Sequence, residues 1–273
     1  MISSIPKLQR TDELGTAWAT VLVYSTPRWG KTMLTRTARK PLVLACEMGA
    51  KRGLGTLQDM HVPYLAIDDM ETLLQVAREL GKNRDVCTLE GEEFETVILD
   101  SASVAGEMGL EGAQKIKGWQ GLWDTMGTGG KDPRMAYPYM NEKMRQMMKL
   151  LFNVQANFVA IARESMAEEK DSEGRVITYK VPEFPGQKLP HELPGWPDAT
   201  LRGDIVNGQR LLRTRTHMRA VAGIRMPGKE VPEFLIPNTA ILCDWMRSGD
   251  AKLLAQITPH ATPKKVAVVA AAR

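Results

Sequence analysis

The chain has 273 residues, 36 Lys and Arg against 32 Asp and Glu, and a formal net charge of +4. That length can bury one large α/β core or two small ones, and the mild basicity is compatible with nucleic acid without requiring it. Cys46, Cys87 and Cys243 are far apart and the four histidines are scattered, which excludes a disulfide framework or a ligand-spaced zinc cluster and suits reduced thiols in a cytosol.

Residues 1–14 form a polar lead-in whose acidic residues and lack of a long apolar core are unlike a signal peptide. No apolar run approaches the length of a membrane span. The expectation is a soluble, cytoplasmic chain with no membrane partner.

Val21 to Ser25 form an uncharged apolar run of strand formers. A tight Ser25-Thr26-Pro27-Arg28-Trp29-Gly30 turn follows, and after Gly30-Lys31-Thr32 the pattern MLTRTARK reads as a helix that Lys40-Pro41 ends. Strand, turn and helix with Gly-Lys-Thr at the junction is the setting of a phosphate-binding loop. Its backbone N–H groups, from Ser25 to Thr32, would cradle the phosphates. Lys31 would reach the β- and γ-phosphates, and the Thr32 hydroxyl would ligate Mg²⁺. Two positions depart from G-x-x-x-x-G-K-[ST]: Ser25 stands at the first glycine, and bulky Trp29 directly precedes Gly30.

Pro41 to Cys46 is a second apolar run, closed by Glu47. Two strands joined by a helix of this length make a βαβ unit and hence a parallel sheet. Ligands of such sheets sit at the carboxyl ends of the strands, which puts Glu47 on the rim of Lys31. Alone, Glu47 is either an ordinary loop carboxylate or a general base. Val62–Ile67 reads as a third strand, and Met70–Gly81 as a helix with Leu73, Leu74, Ala77 and Leu80 on one face.

Phe94 to Ser101 is a hydrophobic strand ending in Asp100. An aspartate there is a turn former or cap, or, downstream of a phosphate loop, the carboxylate that holds Mg²⁺ directly or through water. Residues 103–138 are glycine-rich and read as irregular, with Trp119, Trp123, Lys115, Lys117, Lys131 and Arg134 outside any periodic pattern. They form either a surface insertion with partly packed aromatics or a loop touching single-stranded nucleic acid.

Tyr139–Asn153 reads as a helix with a core-facing stripe of Met140, Met144, Met147, Met148, Leu151 and Phe152. Asn157–Ala162 is the next buried strand. Arg163 and Glu164, just past it, either sense the γ-phosphate or make surface ion pairs. Residues 164–204 read as loop, with a possible hairpin strand at Val176–Val181. Gln209–Thr216 and Arg219–Arg225 read as two strands turning about His217-Met218, with Arg213 and Arg215 on one face. A last helix starts at the N-cap Asn238 and runs through Trp245. A basic tail of small residues closes the chain. The expected division is a lead-in over 1–14, one ATPase domain over 15–257 and the tail over 258–273.

The series VLVYSTPRWGKT, PLVLACEMG, ETVILDS, NFVAIARE and RLLRTRTHMRAVAGIR, spanning about Ala19 to Leu242, resembles the RecA-like P-loop ATPases of bacteriophages, more narrowly their single-strand annealing or recombinase group. The resemblance implies an α/β RecA-like core: a mainly parallel central sheet flanked by helices, with a C-terminal antiparallel strand pair. It implies ATP and Mg²⁺ as cofactors, Lys31 and Thr32 as phosphate and Mg²⁺ contacts, Asp100 as the Mg²⁺-linked carboxylate and Glu47 as the base for the attacking water. In that group a neighbouring subunit completes the site with a late-strand Lys-x-Arg. Here the stretch is Gly223-Ile224-Arg225, which leaves the role to Arg225 alone.

The function so implied is DNA-dependent ATP hydrolysis that promotes annealing or strand exchange in phage recombination. The implied setting is the bacterial host cytoplasm. Single-stranded DNA, further copies of the chain in a filament or ring and a single-strand DNA-binding protein are the expected partners. The DNA-facing candidates are the loops after Asp100 and Ala162. The rival readings are a kinase-like enzyme acting on a small molecule and a non-hydrolysing nucleotide-dependent scaffold.

Overall fold

A computed structural model of the chain describes residues 18–47, 54–115, 136–170, 172–217, 219–226 and 230–259. Its centre is a sheet in which six strands run parallel, in the order β9 (Ala199–Val206), β1 (Thr20–Ser25), β7 (Asn157–Lys170), β6 (Thr96–Asp100), β2 (Pro41–Ala45) and β3 (Tyr64–Ala66). Every residue of β1 is buried. With parallel neighbours on both edges and layers on both faces, such a strand must read as an unbroken apolar run, and it does.

The sheet divides the core in two. On one face Leu22, Leu44, Val97, Leu99 and Phe158 meet three helices: α1 (Met70–Leu80), α2 (Ala102–Gln114) and α3 (Ala136–Phe152). Asp69 caps α1 by accepting a hydrogen bond from the Thr72 amide at 2.9 Å, and Leu73, Leu74, Ala77 and Leu80 are its buried stripe. In α3 the buried stripe is Met140, Met144, Met147, Met148 and Leu151, each side chain contributing about 1.5–3 kcal/mol by leaving water. On the other face Val21, Val23, Val43, Ile98 and Ile161 pack with Trp29, Leu34 and Trp245. Trp245 belongs to α5 (Thr239–Ser248), which Asn238 caps as expected through the Ile241 amide at 3.1 Å.

Several expected elements take another form. Residues 31–37 make a seven-residue 3₁₀ helix in place of the longer helix expected after Gly30. Thr32, Thr35 and Thr37 are β-branched and poor helix formers, and Ala38 is already extended, so the segment cannot lengthen before Pro41. Its carbonyl end is closed from α5, where the Thr239 hydroxyl donates to Leu34 O at 2.8 Å.

Residues 103–114, part of the stretch expected to be irregular, belong to α2. Gly106, Gly109 and Gly112 recur every three residues on it, and a Cβ there would lie 2.8 Å from Pro185, 3.1 Å from Met140 and 3.7 Å from Tyr139. The glycines are a contact stripe, not loop punctuation. Trp119, Trp123, Lys117, Lys131 and Arg134 lie outside the described residues, as do the lead-in and the tail from residue 260.

The stretch 164–204 is not loop either. β7 runs on past the parallel sheet to Lys170 and pairs antiparallel with β8 (Val176–Pro182), the hairpin strand expected there, before β9 begins at Ala199. β9 then turns through Asn207 and Gly208, both at positive φ, into β10 (Gln209–Arg213). The antiparallel pair at this end is therefore β9 with β10, not two strands turning about His217-Met218. Residues of the second expected strand form only β11 (Gly223–Ile224), which pairs with the amino-terminal residues of β9. Among the pieces not expected are the hairpin of β4 (Cys87–Leu89) with β5 (Glu92–Phe94), and α6 (Ala251–Ile257). β12 (Phe234–Leu235) extends the sheet beyond β10. Leu189–Glu192 is a single helical turn, numbered α4.

Candidate nucleotide-binding site

The candidate residues gather where the parallel strands end. β1 leads into the 25–32 loop, β2 ends before Cys46 and Glu47, and β6 ends at Asp100. The Cys46 amide donates to Asp100 O at 2.8 Å, which sets Glu47 beside Asp100. Open parallel sheets bind ligands on this rim.

The loop turns by local rules. The Trp29 amide donates to Thr26 O at 3.4 Å, with Pro27 and then Arg28 at φ +66° between them, the pattern of a type II turn. Gly30 follows at φ +99°, where a side chain would be strained. Lys31 folds back over this turn, its ammonium donating to Ser25 O at 3.1 Å and Thr26 O at 3.2 Å. Burial lowers its pKa, while Asp100 and then Glu47 oppose that shift. A partly desolvated cation held by two carbonyl oxygens and the Ser25 hydroxyl at 3.5 Å, all neutral acceptors, is matched to an anion.

Thr32 and Asp100 meet across the rim, the hydroxyl donating to Asp100 Oδ2 at 3.1 Å. Burial, and next the neighbouring charge of Glu47, push the Asp100 carboxyl up to about 6, against the Thr32 hydrogen bond and Lys31. The same burial, with Asp100 and Glu47 nearby, raises the Cys46 thiol to about 12 and leaves it inert. A hydroxyl and a partly buried carboxylate that gains by a positive neighbour are the donors Mg²⁺ takes alongside phosphate oxygens and water. Among the described residues there is no cluster of three or more His, Cys, Asp or Glu that could hold a metal ion.

The structure also explains the two departures in the loop. Trp29 is buried, its ring lies against Gly203 of β9, and its Nε1 donates to Asp204 O at 2.9 Å. A Cβ on Gly203 would fall 2.6 Å from the Trp29 ring and 2.8 Å from Ser25 Cβ. One glycine on the next strand thus makes room for both the serine and the tryptophan. The Trp29 indole is a peg that fastens the loop to β9, so in the binding loop it contributes backbone only. Sequence reasoning missed Gly203, although Asn207-Gly208 was a hairpin signal that would have placed β9 beside β1.

Lys31, Thr32, Asp100 and Glu47 are brought together; Arg225 is not. β11 lies against Ala199 and Thr200, which flank the amino-terminal part of β1, while Ser25 pairs with Gly203. The Arg225 amide donates to Asp198 O at 2.8 Å, and its guanidinium donates to Gly195 O. Arg225 therefore sits on the opposite rim from the loop of its own chain. Arg163 pairs with Glu107, and with Glu183 at 2.6 Å, bracing α2 against the turn after β8. Glu164 begins a partly buried chain of charges: Arg202 meets Glu164 at 2.6 Å and also Asp204, and Arg213 meets Asp204 at 2.6 Å and Glu233 at 2.6 Å.

A protein-family model described as "AAA domain" matches residues 17–226. The chain belongs to this family. It is a nucleotide-binding P-loop ATPase of the AAA type, and the matched span carries Lys31, Thr32, Glu47 and Asp100 together with Arg225 of the opposite rim. A search of curated proteins returned no match. β12, α5 and α6 follow the matched AAA domain, yet α5 packs on the 3₁₀ helix of the phosphate loop. No helix among the described residues is long and apolar enough to cross a membrane.

Proposed function

We propose that this AAA domain hydrolyses ATP at the 25–32 loop and uses the hydrolysis as a switch on single-stranded DNA, promoting annealing or strand exchange. The observation that carries the chemical part is the convergence of Lys31, Thr32, Asp100 and Glu47 on one rim. The backbone of the loop and the Lys31 ammonium bind the triphosphate. Thr32 and Asp100 would hold Mg²⁺, whose charge would offset that of the phosphate oxygens. Glu47 is exposed to water beside Asp100, where it orients the attacking water and accepts its proton.

The DNA part rests on the resemblance in motif order to phage recombinases and on the placement of two segments. The chain leaves the nucleotide rim through α2 after Asp100, and through the β7–β8 ribbon after Ala162. Both are positioned to feel the state of the nucleotide. Arg225 serves a neighbouring copy: its own loop is on the far rim, so only head-to-tail stacking of subunits presents it to a phosphate. ATP then joins subunits and hydrolysis releases them.

The test is ATP turnover by the full chain with and without single-stranded DNA, followed in parallel by light scattering. DNA-stimulated turnover with growth in particle size supports the reading. Turnover indifferent to DNA, or dependent on a small acceptor, overturns its DNA part. Nucleotide binding with no turnover under either condition overturns the hydrolytic part.

A further inference from the structure

The β9–β10 hairpin carries three arginines whose surroundings differ. Arg202 is half-buried and Arg213 buried, and both are neutralised by Glu164, Asp204 and Glu233. Arg210 is exposed and, among the described residues, makes no hydrogen bond or ion pair. Its place is specific nonetheless. Arg210 lies opposite Ile205 at the start of β10, on the carboxyl-end rim of β1 and β9. Its side chain reaches back to the phosphate loop: a Cβ built on Gly30 would meet Arg210 Nε at 3.5 Å and Cδ at 3.6 Å.

The loop and the hairpin are fixed relative to each other. Trp29, one residue before Gly30, packs on Gly203 and donates to Asp204 O, one residue before Ile205. The stem of Arg210 is thus set against the glycine whose backbone borders the anion site, while among the described residues no carboxylate pairs with its planar head. A guanidinium without a carboxylate partner, at the mouth of a turn that already carries Lys31, is matched to a polyphosphate.

We infer that Arg210 is a binding residue for the phosphates of the nucleotide, supplied by the same chain that carries the loop. The inference rests on the proposed use of the 25–32 loop for ATP and goes further by naming a ligand outside the loop motif. Arg210 adds a positive charge beside Gly30 on the β10 side of the loop.

The test is calorimetric titration of Mg-ATP and Mg-ADP into the full chain, wild type, Arg210→Gln and Arg210→Lys, with a melting curve of each protein without nucleotide. Arg210→Gln should raise the Kd for Mg-ATP about tenfold, the scale of one charge-assisted contact in partly exposed surroundings. Arg210→Lys should recover part of that loss by keeping the charge without the planar fork. Nucleotide-free melting should be unchanged in both. A wild-type Kd in Arg210→Gln overturns the inference and leaves the loop assignment standing. So does a loss of affinity accompanied by a matching loss of nucleotide-free stability, which would make the arginine a strut. Failure of the wild type itself to bind overturns the loop assignment and this inference together.

Discussion

Replacing Asp100 with Asn should make the nucleotide-free protein more stable at pH 8 and leave it unchanged at pH 4. Burial and Glu47 hold the Asp100 carboxyl at about 6 in the folded chain, against about 3.9 when unfolded. The fold therefore retains a proton that the unfolded chain has released, and stability falls as pH rises through this interval. The penalty is absent below about pH 4, grows up to about pH 6 and is constant above that. Two pH units at 1.36 kcal/mol each give about 3 kcal/mol. That figure is already net of the Lys31 attraction and the Thr32 hydrogen bond, and asparagine resembles the protonated acid, so a gain of about 3 kcal/mol is expected. At about 2–4 °C per kcal/mol for a chain of this size, the melting temperature at pH 8 should rise by roughly 6–12 °C. Thermal melts of both proteins at pH 4 and pH 8, free of nucleotide and Mg²⁺, measure this. A variant destabilised to the same extent at both pH values would refute the reasoning, because the carboxylate would then be structural. With Mg-ATP present the order should invert, since binding stabilises only the protein that binds.

Two further substitutions probe the same rim. Glu47→Gln should leave the Kd for Mg-ATP within about twofold and lower turnover by 10²-fold or more, the scale of a lost general base; steady-state kinetics showing unchanged turnover would remove that assignment. Gly203→Ala places a methyl 2.6 Å from the Trp29 ring and 2.8 Å from Ser25 Cβ. It should cost about 1–3 kcal/mol of stability in denaturant unfolding and weaken nucleotide binding by displacing the loop; wild-type stability with wild-type affinity would show that the peg can shift freely.

Much of the parallel core was legible because its strands have no choice. Val21–Tyr24, Leu42–Ala45 and Val97–Leu99 are covered on both faces, and a strand so covered must be apolar throughout. The site residues at the strand ends follow from that frame and the Gly-Lys-Thr motif. What escaped was set by tertiary contact. Gly106, Gly109 and Gly112 read as loop because the sequence does not show that Met140, Tyr139 and Pro185 press against that side of α2. The partner of β10 was misassigned because Leu211 and Leu212 suit either neighbour, while Asn207-Gly208, a turn that accepts positive φ at both positions, decides for β9. Arg225 sat in a plausible motif position, but its rim depends on which end of β9 receives β11. Gly203 and Arg210 carry no motif of their own; only the pairing of β1, β9 and β10 brings them to the loop.

The most direct measurement is calorimetric titration of Mg-ATP into the wild type and Lys31→Ala, two chains differing by the ammonium that Ser25 and Thr26 hold over the loop. The wild type should show saturable binding with one nucleotide per chain. Lys31→Ala should show no binding while keeping the wild-type fold by circular dichroism. Saturable binding of equal affinity in both proteins would contradict the placement of the nucleotide.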